Sequence, residues 1–394
     1  MSSRIHIEVN CQQINHGVEK ICGDVFVSKR IKEEGRIIMV LSDGMGHGIK
    51  ANILATLTAT MACNFTQEHK DVRVIAEIIM NTLPVCSERK ISYSTFTIVD
   101  INGDGETNIL EYDNPQCVIM RGKQVFDPGW TQIIMESEAN KGKELRTCQF
   151  FPKKEDRLIF FTDGVAQSGM GSVKYPFGWE RDLVQDFCVN LVENENAIAA
   201  SRLAAKVVNF AHINDGYRSK DDTSCTVVYF REPRKMLLCT GPPYEESRDA
   251  EYAAEVAEFK GKIVLSGATT SDIVARELKR EITDSFDFDD PELPPISYMD
   301  GVEFITEGIL TLTKATEILR DYSNNTRLGK GPADRMVRLF LECDEIHFII
   351  GTRINIAHQD PNLPIELEIR RTVVKRIARL LEDKFLKEVS LKFI

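Results

Sequence analysis

Four short acidic segments carry residues whose type and setting suit the binding of a hard cation. The sharpest is Ser42-Asp43-Gly44-Met45-Gly46-His47-Gly48, which follows the apolar run from Arg36 to Leu41 and precedes a segment rich in Ala, Leu, Met and Thr. A carboxylate at the end of a buried strand is held rigidly, and the glycines after it let the backbone turn tightly and approach an ion. The same setting recurs at Asp163 in Phe160-Phe161-Thr162-Asp163-Gly164, at Asp221-Asp222 before Thr223-Ser224, and at Asp24 in Cys22-Gly23-Asp24. Taken alone, the Asp43 segment reads equally well as a plain turn, and Asp163 and Asp221-Asp222 read better as a turn and a solvated strand entrance. Together, four acidic sites at strand edges fit a cage of oxygen ligands. With no paired Cys and no organised His, the donor set favours two or more Mg²⁺ or Mn²⁺ ions over zinc. Two such ions about 3.5–4 Å apart can hold a bridging hydroxide and clamp phosphoryl oxygens. The expected chemistry is hydrolysis of a phosphomonoester without a covalent enzyme intermediate.

The elements that must position these residues are legible from periodicity. Strands are expected at Ile5 to Val9, Asp24 to Ser28, Arg36 to Leu41, Arg157 to Phe161 and Cys225 to Phe230. Helices are expected from about Gly48 to Thr66, Val72 to Leu83 and Ile198 to Ala211. Many strands with helices in two clusters imply an α+β layered domain. Asp100-Ile101-Asn102-Gly103-Asp104-Gly105 with Glu111 matches the calcium-loop pattern of an EF-hand. That loop needs helical flanks, whereas Ser94 to Val99 and Asn108 to Tyr112 read as strands, so a hairpin is expected instead.

In this order, Gly23-Asp24, Asp43-Gly44-Met45-Gly46-His47-Gly48, Thr162-Asp163-Gly164 and Asp221-Asp222 resemble the signature of the metal-dependent (type 2C-like) protein phosphatases. The resemblance is closest to the bacterial branch typified by stage II sporulation protein E, and it covers about residues 1–231. It implies a β-sandwich of two antiparallel sheets flanked by helices and a protein serine/threonine phosphatase activity. It also implies that Asp43 bridges two metals, that the Gly44 carbonyl ligates one, and that Asp24, Asp163 and Asp221 complete the cage, with Asp222 the alternative to Asp221. His47 either contacts the phosphate or a nucleophilic water, or packs against or caps the next helix. Eukaryotic members carry a Glu and an Arg in the early acidic motif. Cys22-Gly23-Asp24-Val25 has neither, which leaves the phosphate-binding cation unassigned. The helix after Gly48 resembles the element through which regulation reaches the metal site in this family.

Near Arg231-Glu232-Pro233-Arg234 the pattern changes to strand, Gly/Thr-rich loop and helix, repeated. Lys262 to Leu265 leads through Ser266-Gly267-Ala268-Thr269-Thr270 to a helix ending near Ile282. Val302 to Ile305 leads to a helix ending at Tyr322, and His347 to Ile350 precedes the C-terminal helix. Residues 232–394 are therefore expected to form a smaller α/β domain with a mainly parallel sheet, and the acidic stretch from Asp284 to Pro295 an exposed loop. Gly267, Thr269 and Thr270 form a candidate ligand loop at a helix start, for a small anion, with a protein regulator as the other partner class. No dinucleotide or P-loop fingerprint is present, so a sensory or partner-binding role is the expectation.

The 394 residues carry a net charge of −11, which argues against nucleic acid or anionic lipid as a partner. The basic run Arg370 to Arg376 reads as a solvated helix face. Ten cysteines are scattered singly, as in reduced buried thiols rather than a disulfide framework. No signal-peptide core and no run of about 18 apolar residues occurs, so a cytoplasmic protein is expected, and the family resemblance implies a phosphorylated protein as its substrate. The competing readings are a non-catalytic signalling module that kept the fold, and a small-molecule phosphatase with the same metal chemistry.

Overall fold

The computed structural model describes residues 5–17, 19–68, 72–82, 94–138, 140–323, 326–353, 363–385 and 387–394. Residues 1–4 and Leu83, the expected end of the second helix, lie outside them. The chain divides into two compact units, Met1–Glu232 and Pro233–Ile394.

The strands of the first unit are β1 (His6–Ile14), β2 (Val25–Ile31), β3 (Arg36–Ser42), β4 (Phe96–Ile101), β5 (Thr107–Tyr112), β6 (Val118–Arg121), β7 (Gln124–Val125), β8 (Thr131–Ile134), β9 (Glu144–Phe150), β10 (Asp156–Phe161) and β11 (Thr223–Arg231). Its helices are α1 (Gly48–Gln67), α2 (Val72–Thr82), α3 (Asp163–Ala166), α4 (Arg181–Asn194) and α5 (Ala200–Asn214). Two sheets form, in the orders β1-β11-β10-β6-β7 and β2-β3-β4-β5-β9-β8, with antiparallel pairing throughout.

Strand alternation sorts the apolar residues into three layers. Met39, Leu41, Val99, Ile109, Leu158, Phe160 and Val228 fill the space between the sheets. Ile38, Val40, Ile98 and Leu110 point the other way, onto Ala59, Ala62, Ile75 and Ile79 of α1 and α2. On the far side, Ile159, Phe161, Cys225 and Val227 meet Val184, Cys188, Leu203 and Val207 of α4 and α5. The result is an α+β sandwich of antiparallel sheets flanked by helices, as expected. The Asp100–Glu111 segment is a hairpin, with Ile101 opposite Thr107, and Asp100 is held by the buried Arg36 through two hydrogen bonds of 2.8 and 2.7 Å.

The second unit contains β12 (Lys235–Thr240), β13 (Lys262–Ser266), β14 (Thr283–Asp284), β15 (Ser297–Met299), β16 (Val302–Thr306), β17 (Glu345–Ile350) and β18 (Glu388–Phe393). They alternate with α6 (Asp249–Glu258), α7 (Ala268–Leu278), α8 (Ile309–Asp321), α9 (Pro332–Glu342) and α10 (Leu363–Asp383). The sheet order is β14-β15-β16-β13-β12-β17-β18. The run from β16 to β18 is parallel, and the β14–β15 edge is antiparallel. Taken in chain order, the parallel strands follow the 3-2-1-4-5 pattern of doubly wound sheets. Helices cover both faces: α8, α9 and α10 share one apolar cluster, α6 and α7 the other.

Three expectations need correcting. The helix after Gly267 stops at Leu278, because Lys279 takes a left-handed conformation with φ 54 and ends the hydrogen-bond run. The acidic 284–295 stretch is not wholly exposed: Asp290 and Leu293 are buried, and Lys314 pairs with Asp290 at 2.8 Å. The sequence reading also passed over β6 to β9 and α4 in the first unit and β12, α6, β15, α9 and β18 in the second. Of the basic run on α10, Arg371, Lys375 and Arg376 are exposed as expected and Val373, Val374 and Ile377 are buried, whereas Arg370 is half-buried with its guanidinium against Gly241.

Candidate metal centre

Asp43 follows the last residue of β3, and its backbone carbonyl accepts from Thr95 N at 3.0 Å and Ser94 Oγ at 2.8 Å. Gly44 beside it is squeezed under α1: a Cβ there would stand 2.0 Å from the Ala51 carbonyl oxygen, so no other residue fits. Asp163 opens the single turn α3 rather than lying in a loop. A Cβ on Gly164 would meet the Asp222 carbonyl at 2.1 Å, so the start of β11 presses directly on this turn. Asp24 precedes β2 and is almost fully buried, with Thr162 and Ser224 donating to its Oδ2 at 2.9 and 2.6 Å. Asp222 is buried and accepts from the His16 backbone N–H at 2.9 Å, while Asp221 is half-buried. Gly23, without a side chain, leaves room for the Asp222 carboxylate, whose Oδ2 lies 2.7 Å from where a Cβ would be.

The carboxylates are close enough to perturb one another. Burial, before any other cause, raises the Asp24 carboxyl to about 7, against hydrogen bonds from Ser224 and Thr162 that favour its charged form. Burial and then the charges of Asp24, Asp163 and Asp221 push Asp43 well up. A shared hydrogen bond favours protonated Asp43 and ionised Asp163. Asp163 is nevertheless raised, first by burial, with the charge of Asp113 adding to it. Asp221 is raised to about 6 by burial and by Asp163, and His47 pulls it partly back.

The structure thus brings Asp24, Asp43, Gly44, Asp163, Asp221 and Asp222 to one end of the sandwich. Among the described residues no three His, Cys, Asp or Glu side chains close on one point; the aspartates are near neighbours rather than a finished coordination shell. Their chemistry nevertheless fits a hard divalent cation. The donors are all oxygens, and Asp24 Oδ1, Asp163 Oδ1 and Asp222 Oδ2 are buried without a hydrogen-bond partner. Such atoms are costly unless a cation or proton satisfies them.

His47 occupies the N-cap position of α1 but makes no side-chain capping bond. Its Nδ1 lies 3.0 Å from Glu19 Oε1, and its ring stacks on His16 with centroids 4.2 Å apart and an interplanar angle of 6°. Sequence reasoning missed His16, Glu19, Asp113 and the two hydroxyl donors to Asp24. Thr162 and Ser224 were open to discovery as polar neighbours of flagged aspartates. His16 and Glu19 carry no local motif.

In the second unit, Gly267 has φ 115 at the N-cap of α7, and its N–H donates to the Thr306 carbonyl at 2.9 Å. Thr270 is buried, with its hydroxyl accepting from Gly241 N at 2.8 Å, while Thr269 is exposed. At the β12/β17 switch point, Gly351 N donates to the Thr240 carbonyl at 2.9 Å. A Cβ on Gly351 would come within 2.1 Å of the Pro242 carbonyl, so the strand ends are laced together tightly. Among the described residues no helix is long and apolar enough to cross a membrane, and the described cysteines are free thiols.

No curated protein matches the chain. Among solved structures, the phosphatase domain of the cell fate determinant SpoIIE from Bacillus subtilis is 16% identical, with a TM-score of 0.44 over 59% of this chain and 95% of that one. The RsbU and RsbW domains of Rv1364c from Mycobacterium tuberculosis are 13% identical, with a TM-score of 0.45 over 65% of this chain and 68% of that one. RsbX in complex with magnesium is 17% identical, with a TM-score of 0.39 over 58% of this chain and 99% of that one. Residues 33–231 match the family model for stage II sporulation protein E (SpoIIE), and the chain belongs to that family, the branch of the type 2C-like phosphatases whose acidic motifs its sequence carries.

Proposed function

We propose that the chain is a metal-dependent phosphoprotein phosphatase that hydrolyses phosphoserine or phosphothreonine. The observation that carries this reading is the gathering of Asp24, Asp43, Asp163 and Asp221 at one end of the sandwich, with buried carboxylate oxygens lacking partners. Asp24, Asp43, Asp163 and Asp221 or Asp222, with the Gly44 carbonyl, would hold two or more Mn²⁺ or Mg²⁺ ions. When bound, such ions activate water and neutralise phosphoryl charge. The protein's own part is positional. Thr162 and Ser224 fix the Asp24 carboxylate, and the β3 end and the α3 turn hold Asp43 and Asp163 on rigid backbone. A concentration of carboxylates this costly serves no purpose in an inert scaffold, which supports an enzyme over a binding module. The test is Mn²⁺-dependent hydrolysis of p-nitrophenyl phosphate and of phosphoserine peptides, nearly abolished in Asp43→Asn. Tight Mn²⁺ binding without turnover of any of these substrates would overturn the reading.

Residues 232–394 are proposed to form a regulatory unit that takes a small anion or a protein partner at the β12, β13 and β16 ends, where Gly267 and Thr269 lie. The parallel order supports this, because open α/β sheets bind ligands beyond the carboxyl ends of their strands. Phosphatase activity of the full chain and of a chain ending at Glu232, each measured with candidate effectors, tests it. Identical responses in the two would refute it.

A further inference from the structure

A phosphomonoester is a dianion, and the protein groups gathered around the candidate metal centre are carboxylates. An arginine in reach of the phosphoryl oxygens would bind them bidentately and orient them, which a lysine does less well. The arginines of the first unit can be sorted by what already holds them. Arg36, Arg121, Arg146, Arg181, Arg202 and Arg231 each pair with a carboxylate. Arg157 is buried against the Tyr229 ring. Among the arginines whose side chains are described, this leaves Arg30 and Arg218. Arg30 faces Ile37 near the far end of β2, about 20 Å along the strand from Asp24 at the usual rise per residue.

Arg218 is placed differently. It lies in the turn between α5 and β11, three residues before Asp221, and is exposed. Its Cγ and Nε lie 3.7 Å from where a Cβ on Gly17 would stand. Gly17 N donates to the Ser219 carbonyl at 2.9 Å, and the adjacent His16 N donates to Asp222 Oδ1 at 2.9 Å. The guanidinium stem therefore lies along the stretch of backbone that is bonded to the acidic centre. Its neighbour Lys220 spends its ammonium on the Met170 carbonyl at 2.9 Å.

We propose that Arg218 is the residue that binds the phosphoryl oxygens of the substrate, the cation missing from the Cys22-Gly23-Asp24-Val25 motif. This rests on the phosphatase reading above. Because no carboxylate holds Arg218, removing it costs no internal ion pair, and folding and metal binding stay intact. Full-length Arg218→Ala, Arg218→Lys and a control, Lys50→Ala, in the exposed first turn of α1, are compared in Mn²⁺. The KM for p-nitrophenyl phosphate and the dissociation constant of inorganic phosphate, measured by calorimetry on the Mn²⁺-loaded protein, are the readouts. Arg218→Ala is expected to raise both about ten- to hundredfold, the loss of one charge-assisted contact. Arg218→Lys should recover part of that, with melting temperature and Mn²⁺ affinity unchanged. Unchanged KM and phosphate affinity in Arg218→Ala, or an effect in Lys50→Ala alone, would overturn the assignment. Tight Mn²⁺ binding by the parent chain without turnover of any substrate would sink the phosphatase reading instead, and the phosphate calorimetry would still decide Arg218.

Discussion

Asp43 is held among three other carboxylates, so its charge costs stability whenever no cation is present. Asp43→Asn relieves that repulsion. Without added metal the variant should melt a few degrees higher than the parent, and Mn²⁺ should no longer shift its melting temperature. A lower metal-free melting temperature would mean that Asp43 has a structural role instead. The pH dependence follows with a definite sign. Asp24 and Asp221 titrate near 7 and 6 in the folded chain, above the unfolded value of about 3.9. The folded state therefore holds more protons between about pH 4 and 7, and that contribution to stability is lost as pH rises through this window. Melting curves in EDTA should fall from pH 5 to pH 8, and Mn²⁺ should restore stability most at the higher pH. The four acidic sites were legible in the sequence because each sits beside a glycine, a second aspartate or a hydroxyl at a strand edge, a local signal. The groups that set their protonation were not. Ser224 reaches Asp24 across 200 positions and His16 reaches Asp222 across 206, and nothing near His16 or Glu19 marks them.

At the level of elements, β3, the loop of residues 43–47 and α1 form one wedge. The reading of α1 from Gly48 ended at Thr66, one residue short of its observed end at Gln67, because a long Ala-rich run has few competing signals. The elements missed had weaker signals. β12 followed directly on a stretch read as a boundary, and β18 is largely exposed, so it lacks a buried apolar run. α9 did carry a start signal, with Pro332 in its first turn and Met336, Val337 and Phe340 on one buried face. The wedge itself is testable at Gly44, where a methyl group has no room beside the Ala51 carbonyl. Gly44→Ala should lower stability by about 1–3 kcal/mol, the cost of overpacking, and weaken Mn²⁺ binding by displacing Asp43 from α1. Unfolding in urea and Mn²⁺ titration check the two effects separately, and a variant with parental values in both would show that the loop relaxes freely.

At the level of the whole molecule, each unit has its own apolar clusters and its own sheets, the condition for independent melting. Calorimetry should resolve two transitions, with Mn²⁺ raising only the one that belongs to residues 1–232. A single transition that moves as a whole would mean that the units melt together.

The pairing of β1 with β11, in which His6 faces Arg231 and Ile14 faces Thr223, also bears on how the protein is made. β1 is synthesised well before β11, its one strand partner among the described residues, which lies more than 200 positions later in the chain. At about 5–20 residues per second, β1 waits roughly ten to forty seconds for that partner. Through that interval its backbone donors and acceptors are unmatched in the nascent chain, an opening for chaperones and a window in which synthesis rate, rather than final stability, governs yield.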